Sequence, residues 1–457
     1  MKKTVVIDVV GLTAGLIGAH TPFLKKWTES KKHSSIKPVL PAVTCTSQYT
    51  YLTGKWPTEH GIVGNGWYFK DECEIKFWRQ SNHLVQAKKI WELAKEENQD
   101  FTCANMFWWY NMYSSVDYSV TPRPLYLADG KKLPDVYSKP MDMRDRLQKE
   151  LGQFPLFEFW GPKTTINSSK WIAEASKMVD QWHNPTLTLI YLPHLDYNMQ
   201  RYGQQHDSVK KDLAEIDGVC KDLVQYYEEK GANVLILSEY GITNADHPIN
   251  INRIFRKKGY LSIKQDLGLE YLDAGTSKAF AVADHQIAHV YLNEQSIYQE
   301  VKELLENTEG IELVLDKASK EKYHIDHERS GDFVVVADNN SWFTYYYWLD
   351  DNKAPDFART VDIHRKPGYD PVEMFVNPKI TFPLLKVGGI LLKKKLGFRY
   401  LMDVIPLTPE LIKGSHGRLT EDPKDQPILI GNIADQSSIE AVEVFDIIWQ
   451  QIFSKKP

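Results

Sequence analysis

What most constrains this chain is an alternation of near-continuous apolar runs with amphipathic segments. Residues 5–10, 186–192 and 234–237 are largely β-branched or aliphatic. Residues 209–230 instead place Val209, Leu213, Ile216, Val219, Cys220, Leu223 and Tyr226 at a period of about 3.6 and stop at Gly231. A helix-like pattern covers 22–30, and a run at 288–292 precedes another at 295–307. Strands that are apolar across their whole width are buried on both faces, and strands separated by helices pair in parallel. The expected fold is α/β, a mostly parallel sheet sandwiched by helices. Ligands of such sheets collect beyond the carboxyl ends of the strands. Asp8, Asp196 and Glu239 all fall at or just after such ends.

The 457 residues, 42% of them hydrophobic, suffice for one large domain spanning 1–457. A net charge of −5 leaves no basic footprint for a nucleic acid polymer. Four cysteines show no paired spacing and read as reduced thiols. The N-terminal apolar run is interrupted by Asp8 and lacks a small-residue cleavage site, which favours a strand over a leader. The stretch 387–392 is too short to span a bilayer. These features predict a cytoplasmic protein without membrane insertion. Two aromatic-rich segments, at about 69–160 and 333–382, interrupt the alternation and are expected to form cap-like insertions.

The most informative stretch is polar. Pro41-Ala42-Val43-Thr44-Cys45-Thr46-Ser47 leads through Thr53-Gly54-Lys55-Trp56-Pro57-Thr58-Glu59-His60-Gly61-Ile62-Val63-Gly64-Asn65. A hydroxyl such as that of Thr44 becomes a nucleophile only when a base, a depressed pKa or a metal ion activates it. Asn65 offers a neutral donor suited to a phosphoryl oxygen. Taken in order, Asp8, Pro41, Thr44, Thr53, Gly54, Pro57, His60, Gly61, Ile62 and Asn65 resemble the nucleotide pyrophosphatase/phosphodiesterase branch of the alkaline phosphatase superfamily. A surface loop rich in Thr and Gly is the competing reading of the block.

The resemblance implies an alkaline-phosphatase-like fold with an aromatic-rich cap. It also implies a metal-dependent hydrolase acting on a phosphodiester, a pyrophosphate or a related small phosphorylated substrate. Thr44 takes the part of the covalent nucleophile, and Asn65 that of the phosphoryl-oxygen contact. Two divalent metal ions are implied, zinc first, with manganese or magnesium as alternatives. Their ligands map onto Asp8, Thr44, Asp196, Glu239 and His416, with His364 added from its polar, cationic loop at 362–368.

The pattern departs from the family at two imidazoles. The turn expected as Ser-Asp-His-Gly reads Ser238-Glu239-Tyr240-Gly241, and the histidine expected four residues after Asp196 is Gln200. Glutamine is a weak zinc ligand, and tyrosine ligates well only as phenolate, against an ordinary pKa of about 10. His285, His289 and His364 are spare imidazoles for these positions. His60 and His194 are expected to orient nearby backbone. Trp67 and Tyr110 are candidates for substrate contact among aromatics that otherwise read as core. A relative that binds a phosphorylated metabolite without turning it over is the alternative reading, and phosphonate or phosphomonoester hydrolysis are neighbouring activities.

Overall fold

The computed structural model describes residues 1–128 and 131–457. Strand Thr4–Val9 lies in the middle of a nine-stranded sheet. It pairs in parallel with Leu187–Leu192 on one side and Asn233–Leu237 on the other. These are the apolar runs of the sequence, and apart from Asn233 every residue in them is buried. Cys103–Met106 and Tyr118–Pro122 continue the parallel set, and Val136–Lys139 closes that edge antiparallel. On the other flank Ile428–Gly431 runs antiparallel to Asn233–Leu237, followed by Lys32–Lys37 and Ser438–Glu440.

Helices cover both faces. Asn167–His183 and Asp207–Glu229 pack together over Leu187–Leu192 and Asn233–Leu237. Glu443–Phe453 packs with Thr44–Thr53 and against the first strand. The amphipathic period read at 209–230 therefore records a helix pressed on the sheet through Val209, Leu213, Ile216, Cys220 and Leu223.

A second, four-stranded antiparallel sheet is built from Ala279–Asp284, Ile287–Leu292, Phe333–Ala337 and Ile311–Leu315. It has its own apolar cluster, which includes Phe280, Tyr345, Tyr347 and Trp348. The run at 288–292 thus belongs to this sheet rather than to the parallel one. A short apolar run fits either setting, and what decides is the two-residue turn His285–Gln286 that folds it back on Ala279–Asp284.

The segment at 69–160 also differs from a cap-like insertion. It supplies three strands to one edge of the main sheet. Those strands carry the buried polar residues Asn105, Ser119, Thr121 and Ser138, so no apolar run announces them. The segment at 333–382 opens with a strand of the second sheet, and its aromatic run 342–348 is mostly core.

Candidate active site

Thr44 is the first residue of helix Thr44–Thr53, with Val43 extended ahead of it. The helix ends at Gly54, whose φ of 64° suits glycine, and a Cβ there would lie 3.0 Å from the Phe445 ring. The turn after it returns Asn65 to the helix start, where the Cys45 N–H donates to Asn65 Oδ1 at 3.0 Å. Asp284, at the hairpin of the second sheet, accepts from the Asn65 N–H at 2.8 Å and from Asn65 Nδ2 at 3.1 Å. The second sheet therefore fixes the amide that faces the start of the Thr44 helix.

Two carboxylate groups of the main sheet flank Thr44. Asp8 and Glu239 sit together at neighbouring strand ends. Gln48, one turn after Thr44, donates through Nε2 to Glu239 Oε1 at 2.6 Å and faces Asp8 Oδ2 at 3.4 Å. The Trp109 N–H donates to Gln48 Oε1 at 2.8 Å, which sets that amide's orientation.

On the other side Thr44 Oγ1 is 3.2 Å from Tyr240 Oη, which donates to Asp196 Oδ1 at 3.3 Å. Gln200 Nε2 donates to Asp196 Oδ2 at 2.8 Å, and Tyr369 Oη donates to Gln200 Oε1 at 2.9 Å. His416 Nδ1 donates to the Ala42 carbonyl at 2.8 Å, leaving its Nε2 lone pair 3.9 Å from Asp196 Oδ1. The His416 ring is stacked between Tyr240 and His285, and His285 lies in turn on Tyr369.

The electrostatics of this centre are one-sided. Asp8, Glu239, Asp196 and Asp284 are all buried, and no lysine or arginine ion pair among the described residues reaches them. Burial pushes the Asp196 carboxyl up to about 7 and that of Asp284 up to about 6. Burial raises Asp8 as well, and burial together with the Asp8 charge raises Glu239. Burial holds His416 and His285 well below the usual imidazole value, so neither supplies a compensating charge near neutral pH.

Other sequence candidates are placed elsewhere. His364 Nδ1 faces the Phe77 carbonyl at 3.4 Å, and its charged neighbours are Lys132, Arg79 and Arg123 rather than the carboxylates. His289 is used up by backbone, with Nε2 on the Val63 carbonyl and Nδ1 accepting from the Gly331 N–H. His60 accepts from the Ile62 N–H and pairs with Thr50, as a local orienting role requires. Trp67 is buried, stacked on Phe69 with Arg329 over its ring. Tyr110 is buried edge-on to Tyr49, its hydroxyl towards Cys45. Gln48, Asp284 and Tyr369 complete the site without having been singled out. Asp284 was visible only as the residue before a spare histidine, and Gln48 only by its helical spacing from Thr44. His194 Nε2 lies 3.5 Å from Asp212 Oδ1 and 3.2 Å from Glu215 Oε2, on the far side of the helix that carries Asp196.

A family model for type I phosphodiesterase/nucleotide pyrophosphatase matches residues 4–370, which include the central parallel strands, the Thr44 helix and Asp284. The chain belongs to that family. Among its relatives is ectonucleotide pyrophosphatase/phosphodiesterase 2 of Saccharomyces cerevisiae, 24% identical over 278 residues, 55% of this chain and 51% of that protein. Ectonucleotide pyrophosphatase/phosphodiesterase 1 of the same yeast is 24% identical over 278 residues, 54% of this chain and 35% of its own length. The chain thus matches about half or less of the length of these relatives. The fold is shared with human ectonucleotide pyrophosphatase/phosphodiesterase 5 at a TM-score of 0.61 and 13% identity, covering 99% of this chain and 95% of that one. It is shared equally with phosphonoacetate hydrolase from Sinorhizobium meliloti, solved with phosphonoformate, at 0.62 and 13%, covering 99% and 96%.

Whether these residues fit metal ions is decided by the buried atoms left without partners. Asp8 Oδ1, Glu239 Oε2 and His416 Nε2 are all buried and bond to nothing. An uncompensated buried carboxylate is expensive, and a pair is more so. Asp8, Glu239 and Thr44 therefore fit a divalent cation held by oxygen donors. The Asp196 half fits one less well, because Tyr240 and Gln200 already donate to both of its oxygens.

Proposed function

We propose that the protein is a metal-dependent hydrolase of a phosphodiester, pyrophosphate or related phosphoryl substrate, with Thr44 as the nucleophile. The observation that carries the reading is the set of unsatisfied buried donors around the Thr44 hydroxyl, Asp8 Oδ1, Glu239 Oε2 and His416 Nε2. A cation held by Asp8, Glu239 and Thr44 would lower the hydroxyl's pKa and offset the buried negative charge. Its oxygen donors suit magnesium or manganese as well as zinc. The site holds a second ion through Asp196 and His416 only if Tyr240 and Gln200 yield.

The chain's own residues account for the remaining chemistry. Tyr240 Oη, anchored on Asp196, orients Thr44 Oγ1 towards an incoming phosphorus. Asn65 Nδ2 has two protons, of which Asp284 takes one, and the second is free for an equatorial phosphoryl oxygen. Thr44 Oγ1, its proton released to water, attacks and forms the Oγ1–P bond as the leaving oxygen departs in line with its electron pair. His416 Nε2, unprotonated and without a partner, accepts a hydrogen bond from the water that releases the phosphoryl group and so orients it.

Hydrolysis of bis-p-nitrophenyl phosphate by metal-stripped protein, reloaded separately with zinc, manganese and magnesium, tests this beside Thr44→Ala. Turnover that requires an ion and disappears in Thr44→Ala supports the reading. The rival reading, a binder without turnover, rests on Tyr240 Oη lying between Thr44 and Asp196. Absence of turnover together with an empty metal count would favour it.

A further inference from the structure

Helix Pro383–Lys395 and the chain after it form the most apolar exposed surface of the protein. Of twenty exposed large hydrophobic residues among those described, eight lie here: Phe382, Leu384, Leu385, Leu391, Leu392, Leu396, Phe398 and Leu401. Leu384 is 86% exposed and Leu385 73%. Only Ile390 of the helix is buried, and Val387 packs beside it on a small cluster that includes Trp342, Val372, Ile405 and Ile412. At about 100° per residue, Leu384, Leu385, Leu391, Leu392 and Leu396 share an arc of about 140° that faces away from that cluster. Isolated exposed leucines are ordinary, but a contiguous strip of them marks a docking surface.

The charge of the strip identifies what covers it. Residues 382–402 contain Lys386, Lys393, Lys394, Lys395 and Arg399 and no acid, in a chain whose net charge is −5. Lys386 is neutralised by Asp403, which leaves Lys393, Lys394, Lys395 and Arg399 without a carboxylate partner among the ion pairs of the described residues. At the same spacing Lys395 falls within the leucine arc, and Lys393 and Lys394 lie about 60° beyond its two edges, so their long side chains flank the leucines on both sides. The unpaired charged groups of the strip are all positive. Its complement is an apolar layer beneath a uniformly negative one.

We propose that this helix docks the protein on an anionic lipid bilayer. The helix lies in the plane of the interface, leucines among the acyl chains and lysines at the headgroups. Its 13 residues span about 20 Å, too short for the bilayer's hydrocarbon core, and no helix among the described residues is long and apolar enough to cross a membrane. Cluster residue Ile412 precedes Lys413, whose N–H bonds the Gln200 carbonyl, so the docked element rests against the segment beside the Asp196 helix.

Co-sedimentation of the full chain with vesicles tests the proposal, using phosphatidylcholine alone and phosphatidylcholine mixed with phosphatidylglycerol. The expected result is binding to the anionic vesicles only, weakening as sodium chloride rises. Lys393→Ala, Lys394→Ala and Lys395→Ala together should lower partitioning about a hundredfold, roughly fivefold per lysine. Leu384→Glu with Leu392→Glu should abolish it, with thermal melting unchanged because both side chains are exposed. Three results would overturn the proposal: equal binding to neutral vesicles, no binding to either kind, or a concentration-dependent dimer that the leucine variant converts to monomer.

Discussion

Asp196→Asn is expected to change the stability of the metal-free protein by an amount that depends strongly on pH. The Asp196 carboxyl goes from an ordinary 3.8 to about 7 on folding, because burial outweighs the bonds from Gln200 and Tyr240. A carboxyl raised in this way keeps a proton in the folded state that the unfolded chain has already lost. Its favourable contribution is complete below about 3.8 and is lost as pH rises through about 7. The difference amounts to about 4 kcal/mol by pH 8. Asparagine removes that dependence.

Asparagine also brings a mismatch, because its Nδ2 meets the Gln200 Nε2 donor, whose partner oxygen is already engaged by Tyr369. That mismatch costs about 1–3 kcal/mol but is independent of pH. Urea unfolding in chelator at pH 4, 6 and 8 separates the two effects. The variant should be less stable than the parent at pH 4 and gain on it by about 4 kcal/mol at pH 8. A stability difference that stays constant across this range would refute the argument that Asp196 is held protonated by burial.

Two further outcomes follow from the same contacts. Tyr240→Phe strips one partner each from Thr44 Oγ1 and Asp196 Oδ1. It should cost about 1–3 kcal/mol in unfolding measurements. In hydrolysis of bis-p-nitrophenyl phosphate it should lower kcat by about tenfold or more with little change in KM. Of the four cysteines only Cys73 is exposed, and burial raises the Cys45, Cys103 and Cys220 thiols above their usual value. Ellman's reagent should therefore titrate one thiol in the native protein and four in denaturant.

The central strands were legible because their signals are local. Fully apolar runs declare strands buried on both faces. The edge strands were not, since they carry buried polar residues such as Asn105, Ser119 and Ser138, held by neighbours three to eight positions away, in place of an apolar run. Within the site, Asp8, Thr44, Asn65, Asp196, Glu239 and His416 lie around one centre, and of these strand-end position had marked Asp8, Asp196 and Glu239. His364 was added on the composition of its loop, and composition carries no position: the fold sets its ring against the Phe77 carbonyl with Lys132, Arg79 and Arg123 nearby. Asp284 escaped notice because its contact with Asn65 spans 219 positions and depends on the turn of a separate sheet. The stack of Tyr240, His416, His285 and Tyr369 is likewise a product of four distant segments.

The central claim is that Thr44 is the nucleophile, and the most direct measurement is acid quench of the metal-loaded protein during turnover, followed by peptide mass mapping. The account predicts a phosphoryl adduct on the peptide containing Thr44, absent without metal and absent in Thr44→Ala. Turnover that continues in Thr44→Ala with no adduct on any peptide would contradict it.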